Sequence, residues 1–337
     1  MRDADRLLGV LMGTAIGDAI GLPFEGLSPR RIDQRLRRGP LGHSLVFGRG
    51  MISDDTEHAC MVARALLESD GDVDRFRRRF AAQLRRWLLA LPPAVGLATL
   101  RACVRLCVGF GPERSGVDSA GNGPAMRAAL LGVWADDDRQ RLALVRASTR
   151  ITHTDPRAED GALLIARWAA DASRVHELAC VRDAAMRDRI RSALACAEAG
   201  ASVEQARATL GFERGVSGFV VDTLAAVAFC WRRHRDDPSA AIEAAVRLGG
   251  DTDTVAAIVG ALLGAELGAR ELERRIDPAW IEGLHDWPIN LAYLRRLARA
   301  FARRDRAPRQ PWFAAPLRNL AFLGIVLAHG CARALGK

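Results

Sequence analysis

Two clusters of hard oxygen donors stand far apart in this 337-residue chain. Ser53-Asp54-Asp55-Thr56-Glu57 precedes an apolar-periodic segment (Ala59, Val62, Leu66), and Gly249-Gly250-Asp251-Thr252-Asp253-Thr254 opens a second, very apolar one. Each reads as the start of a helix. A single Asp or Ser is enough to cap a helix by accepting from its free N–H groups. Adjacent carboxylates repel one another unless a cation sits beside them, and Asp is a preferred ligand of hard cations. At either motif alone, capping competes with metal binding. Two such turns can converge from distant parts of the chain, and together they favour metal. An all-oxygen donor set of this kind suits Mg²⁺ or Mn²⁺ rather than zinc.

Three further motifs carry polar groups in special places. Gly17-Asp18-Ala19-Ile20-Gly21-Leu22-Pro23-Phe24-Glu25 puts Asp18 at the end of a glycine-striped helix and Glu25 in the loop after it. The expectation for Asp18 is a solvated helix end. Ser119-Ala120-Gly121-Asn122-Gly123-Pro124 is a glycine-rich loop before a helix. It can be a simple turn, or it can offer backbone N–H groups to a phosphate. Thr152-His153-Thr154-Asp155-Pro156 holds one His near a helix end, and a His so placed is more often structural than catalytic.

The elements that must position these groups are helical nearly throughout. Periodicity predicts helices over 56–69, 72–90, 94–108, 124–134, 138–150, 158–170, 176–198, 216–233, 239–248, 270–276 and 290–303, with one more at 317–335. Two segments carry small residues every fourth position: Gly9, Gly13, Gly17 and Gly21, then Ala256, Gly260, Gly264 and Gly268. Glycine costs about 0.5–1 kcal/mol per helix-interior position relative to Ala, so the stripes imply a packing reason. Both helices are apolar on most faces and belong in the centre, touching each other or equivalent neighbours. Breaks at Pro92-Pro93, 109–123, 152–156 and Gly249-Gly250 do not resemble linkers. The expected organisation is an all-α, single compact multi-helix domain over 1–304, with 305–337 as a connector and a C-terminal helix packed on it.

Composition narrows the class. Apolar residues make up 49% and charged residues 26%, the balance of an ordinary globular chain. The net charge is +9, and Lys337 is the only Lys. Clusters at Arg35/Arg37/Arg38, Arg75 to Arg79, Arg85/Arg86 and Arg303/Arg304/Arg306 read as solvated surface, because no aromatic residues interleave them as in nucleic-acid platforms. Seven Cys form no zinc signature and read as reduced thiols of a cytoplasmic protein. The apolar run Leu7 to Ile16 follows Arg2 and Arg6 like a signal peptide, but Asp18 interrupts it and no cleavage site follows. The stretch 313–335 contains Pro316, Arg318, Asn319, His329 and Arg333, too polar to span a bilayer. Both read as packed helices, with no membrane partner.

The five motifs, in this order and spacing, resemble the ADP-ribosylglycohydrolase family. The likeness runs from about Leu8 to Gly268, and the Ser-Asp-Asp-Thr-Glu and Gly-Gly-Asp-Thr-Asp-Thr pair is its most specific part. The segment from Pro316-Leu317-Arg318-Asn319 also resembles a tail of some bacterial members. The resemblance implies a central cleft with a dinuclear Mg²⁺ or Mn²⁺ centre. It puts metal ligands at Ser53, Asp54, Asp55, Asp251, Asp253 and Thr254. It puts Glu25 near the scissile bond, with Asp54, Asp55 and Asp253 joining it in catalysis. Gly121, Asn122 and Gly123 would cradle ADP-ribose, His153 would contact substrate, and Ser119 falls where members vary between acidic and small residues. The implied reaction is hydrolysis at ribose C1 of a mono-ADP-ribosylated protein or small molecule, arginine-linked above others, by a monomer. Two other readings compete. A two-metal phosphoester hydrolase would usually add several His ligands, and His43, His58 and His153 form no His-Asp pair. An inactive ADP-ribose-binding relative would not be expected to keep all six ligands.

Overall fold

Helix supplies nearly all the regular structure in the computed structural model, which describes residues 4–46, 48–303 and 305–334. In chain order the α-helices are α1 (Ala4–Gly21), α2 (Pro29–Leu36), α3 (Asp54–Ser69), α4 (Val73–Leu89), α5 (Leu97–Cys107), α6 (Gly123–Met126), α7 (Ala129–Trp134), α8 (Asp138–Arg150) and α9 (Pro156–Ala170). They continue as α10 (Ala184–Glu198), α11 (Val203–Leu210), α12 (Val220–Arg233), α13 (Pro238–Leu248), α14 (Thr252–Leu267), α15 (Ala269–Arg275), α16 (Pro278–Glu282), α17 (Leu291–Arg303) and α18 (Ala314–Ala334). Among the described residues, β pairing is limited to isolated bridges. Arg2, Arg304 and Lys337, residue 335 at the expected helix end, and the side chains of His329, Cys331 and Arg333 lie outside the described residues.

The two small-residue stripes face each other. A Cβ added at Gly9, Gly13 or Gly17 would overlap the backbone carbonyl of Gly264, Gly260 or Ala256 in turn, and one at Gly21 would meet the backbone of Thr252 and Asp253. Helices α1 and α14 therefore run antiparallel with backbone against backbone. Gly268, which ends α14 at φ +76°, continues the contact: a Cβ at Gly9 would also meet its backbone, and a Cβ of its own would strike Asp5 of α1. Helix α1 is long and apolar enough to cross a membrane, yet 89% of that stretch is buried inside the protein. Every residue of α14 from Thr252 to Ala265 is buried as well. The pairing thus forms the centre around which the other helices pack. Gly13→Leu or Gly264→Leu should destabilise the protein by ~1–3 kcal/mol or more, the range for overpacking. Thermal melting checks this, and a wild-type midpoint for either variant would remove the close-contact account at that position.

Several expected elements differ in extent, for local reasons. Helix α5 starts at Leu97 because Leu91 and Ala94 take positive φ (55° and 57°) around Pro92-Pro93. The span 176–198 is helical only from Ala184, where the Asp183 side chain caps α10 by accepting from Met186 N. The span 124–134 divides into α6 and α7 at Arg127-Ala128. The span 216–233 begins at Val220 because Val216 pairs with Gly250 instead. Three short helices had signals that periodicity passes over: Pro at the first turn of α2 and α16, and a Ser202/Gln205 capping box on α11. The arginines at 75, 78, 79, 85 and 86 are exposed, as expected of a solvated surface.

Candidate active site

The antiparallel pairing brings the end of α1 to the start of α14, and Thr252 Oγ1 donates to the Gly21 carbonyl at 2.9 Å. Helix α3 starts at the same place. Asp18 is fully buried there, which overturns the expectation of a solvated helix end. Its carboxylate accepts from Ser53 N (2.9 Å to each oxygen), Thr56 N (3.2 Å) and Thr56 Oγ1 (2.5 Å). Asp18 is thus a cap for α3 supplied by a different helix, and it fixes the Asp54-Asp55 turn against α1. Burial pushes its carboxyl up to about 6, against the pull of these hydrogen bonds. The glycine stripe allows α1 to stay buried to its last turn.

Asp55 is buried beneath the turn. Its Oδ2 accepts from Ser53 Oγ (3.1 Å) and from Thr254 Oγ1 (3.2 Å), which ties α3 to α14 directly. Its Oδ1 has no hydrogen-bond partner, and neither has Oδ1 of the buried Asp253. Asp251 accepts from Asn122 Nδ2 at 2.6 Å, and Asn122 N donates to the Gly218 carbonyl. Backbone approaches backbone closely at Gly249-Gly250. Gly250 has φ +79°, and a Cβ there would overlap Val216, whose N and O pair with Gly249 O and Asp251 N. Gly26 N donates to Gly250 O at 2.8 Å, which holds the Glu25 loop against the same turn.

The electrostatics are one-sided. Burial, then the charges of Asp18, Asp54 and Asp251, hold Asp55 well above the usual carboxylate range. Burial, then Glu25, Asp251, Asp55 and Asp18, do the same for Asp253. Asp54 is pushed up to about 8 by burial and by Glu57, Asp18 and Glu25. Among the described residues no three His, Cys, Asp or Glu side chains already form a closed metal-holding group. The donor chemistry nevertheless fits hard divalent cations: mutually repelling carboxylates, two buried oxygens without partners, and Ser and Thr hydroxyls between them.

A cleft of about 550 Å³ opens above these groups. Glu25, Asp54, Ser119, Gly121, Asn122, Gly123, His153, Asp251, Asp253 and Thr254 line it, and Ala94 to Thr99 form one wall. Ser53 and Asp55 sit behind the lining. His153 is buried at the cleft wall, with Nδ1 2.8 Å from Thr152 Oγ1. Burial and Arg127 push it down to about 3, so it is neutral at ordinary pH. Arg127 was missed in the sequence. It is buried, donates to Thr152 Oγ1 (2.7 Å) and the Ser148 carbonyl (3.1 Å), and stands 3.1 Å from His58 Nδ1.

The tail also reaches the site. Buried Arg318 of α18 donates to both oxygens of Asp286 (3.1 and 2.6 Å) and to the Ile52 carbonyl, while Ile52 N donates to Asp286 (3.0 Å). The residue before Ser53 is therefore clamped on both its backbone groups. Asn319 donates to the Ala90 carbonyl at 2.9 Å, just before the loop that leads to the Ala94 end of the cleft wall.

The ADP-ribosylglycohydrolase family model matches residues 1–311. The chain belongs to the ADP-ribosylglycohydrolase family. Similar proteins include an uncharacterised one from Archaeoglobus fulgidus, 30% identical over 84% of this chain and 92% of its own length. The ADP-ribosyl-[dinitrogen reductase] glycohydrolase of Rhodospirillum rubrum is 31% identical over 83% of this chain and 90% of its own. A solved structure described as an ADP-ribosylglycohydrolase-related protein complex superposes with a TM-score of 0.61 at 29% identity, over 89% of this chain and 98% of that one. The all-α fold expected from the sequence is that of the family, and the chain is a glycosidic-bond hydrolase. Arg318 and Asn319 lie beyond the matched residues.

Proposed function

We propose that this family member releases ADP-ribose from a mono-ADP-ribosylated acceptor, arginine-linked in preference to others, with two Mg²⁺ or Mn²⁺ ions held by Ser53, Asp54, Asp55, Asp251, Asp253 and Thr254. The observation that carries the metal part is the pair of unpartnered buried oxygens, Asp55 Oδ1 and Asp253 Oδ1, in a cluster of mutually repelling carboxylates. Bound divalent ions supply acidified water and stabilise developing negative charge. The chain's own residues do the rest. The Gly121-Asn122-Gly123 loop lies against the diphosphate with Gly123 N as its donor, since Gly121 N already donates to Ser119 Oγ and Asn122 N to the Gly218 carbonyl. Neutral His153 offers a ring nitrogen to the ligand. Glu25, at the cleft wall, takes the proton of the attacking water as the ribose gains oxocarbenium character.

A protein acceptor is supported by likeness to the bacterial glycohydrolase, whose name gives an ADP-ribosylated protein as its substrate, and the arginine preference rests on the family resemblance alone. A panel of arginine-, serine- and other mono-ADP-ribosylated acceptors, with free ADP-ribose measured, is expected to show the arginine linkage cleaved fastest. Equal or faster release from serine would overturn that assignment.

A further inference from the structure

Helix α18 wears its polarity inside out. Among its described side chains, the polar ones, Arg318 and Asn319, face the body of the protein together with Ala314 and Phe322. The outward row is apolar: Phe313 just before the helix, then Leu317, Leu320, Leu323 and Leu327, exposed by 48, 58, 70, 43 and 60%. Spacings of four, three, three and four residues place them on one helical face. Exposed Pro316, Ala321 and Gly324 fill the gaps, so no described polar side chain interrupts the face. An uncovered apolar surface of this continuity marks an interaction site.

What covers it is indicated by the residues on either side. Arg303, Arg306 and Arg309 are exposed on the approach, with Asp305 as the one acid among them, and Trp312 is 88% exposed where the basic stretch meets the apolar row. Basic residues, an interfacial aromatic and a leucine face in that order match an anionic lipid surface. Arginines attract the headgroups, Trp favours the water–lipid boundary, and leucines enter the acyl edge. A second copy of the chain is a poorer match. Parallel self-pairing would set the exposed Arg303, Arg306 and Arg309 of two copies together.

We propose that the outer face of α18, with the arginines before it, docks this protein on an anionic bilayer, the helix lying in the plane of the surface. Arg318 and Asn319, committed to the interior, keep it on the bilayer rather than through it.

The test is flotation of the purified full chain with vesicles of phosphatidylcholine alone and of phosphatidylcholine mixed with phosphatidylglycerol. The protein should float with the mixed vesicles and not with the neutral ones, and raised salt should reduce the bound fraction. Arg306→Gln with Arg309→Gln should weaken binding about 10-fold or more. Leu320→Glu with Leu327→Glu should abolish it. Both sites in the latter variant are exposed, so an unchanged melting temperature and ADP-ribose release would show that the fold is intact. Failure of the wild type to float with the mixed vesicles would overturn the proposal. So would undiminished flotation of the leucine variant, or a concentration-dependent dimer that this variant dissolves.

Discussion

Asp55→Asn and Asp253→Asn should each lower turnover by at least ~10²-fold, the order seen when one transition-state electrostatic group is lost. Both substitutions keep the side-chain size and remove the charge. The double variant should be little worse than the worse single one, because groups that act as a unit are not additive. Excess EDTA should abolish activity, and Mg²⁺ or Mn²⁺ should restore it. Steady-state rates of ADP-ribose release decide the matter: full activity in EDTA, or near-wild-type turnover by either single variant, would end the two-metal proposal. A thermal signature goes with it. The bare site holds Asp54 at about 8 and Asp55 and Asp253 above the ordinary range. A carboxyl whose folded value is raised favours folding below its unfolded value, about 4, and loses that contribution as pH rises through the folded one. The metal-free protein should therefore lose stability from about pH 4 up to about pH 8. Added Mg²⁺ stabilises by mass action and should raise the melting temperature more at pH 8 than at pH 6. A shift independent of pH, or none, would count against cation binding by these carboxylates.

Arg318→Ala should cost ~3–5 kcal/mol, the range for breaking a buried ion pair by removing one partner. Asp286 would be left buried opposite Glu57, and the Ile52 carbonyl would lose its donor. Chemical denaturation measures the loss. Arg318→Lys keeps the charge but not the forked geometry, so it should fall between wild type and Ala. A cost below ~1 kcal/mol for Arg318→Ala would mean that the tail merely rests on the domain.

Much of this was legible in the sequence because the cause was local or periodic. The four-residue glycine spacing predicted contact between two central helices, and the facing backbones of α1 and α14 bear this out. The Asp-Asp and Gly-Gly-Asp-x-Asp turns predicted helix starts, and both open helices at one place. Asp18 was misread because a charge after an apolar run gives no sign of a cap on another helix; its partners lie 35 and 38 residues away. Arg127 and the Arg318–Asp286 clamp went unseen for the same reason, since an Arg in an Arg-rich chain does not announce that it is buried. Short helices α2, α11 and α16 carry too few turns for periodicity to register.

The backbone contact between α1 and α14 also acts as a ruler. Matched small residues permit only registers one glycine step apart, and one step is about 6 Å of helix. The two helices cannot creep past each other by fractions of an ångström, so the offset between Asp18 and Asp253 is set in whole steps, and one step would separate them entirely. Fine adjustment of the site therefore falls to the loops carrying Glu25, Asn122 and Gly250. Conversely, a wedge at Gly264, about 16 Å along α14 from Asp253, would splay the pair and be felt at the carboxylates, so damage far from the cleft should be read out as lost turnover before it is read out as unfolding.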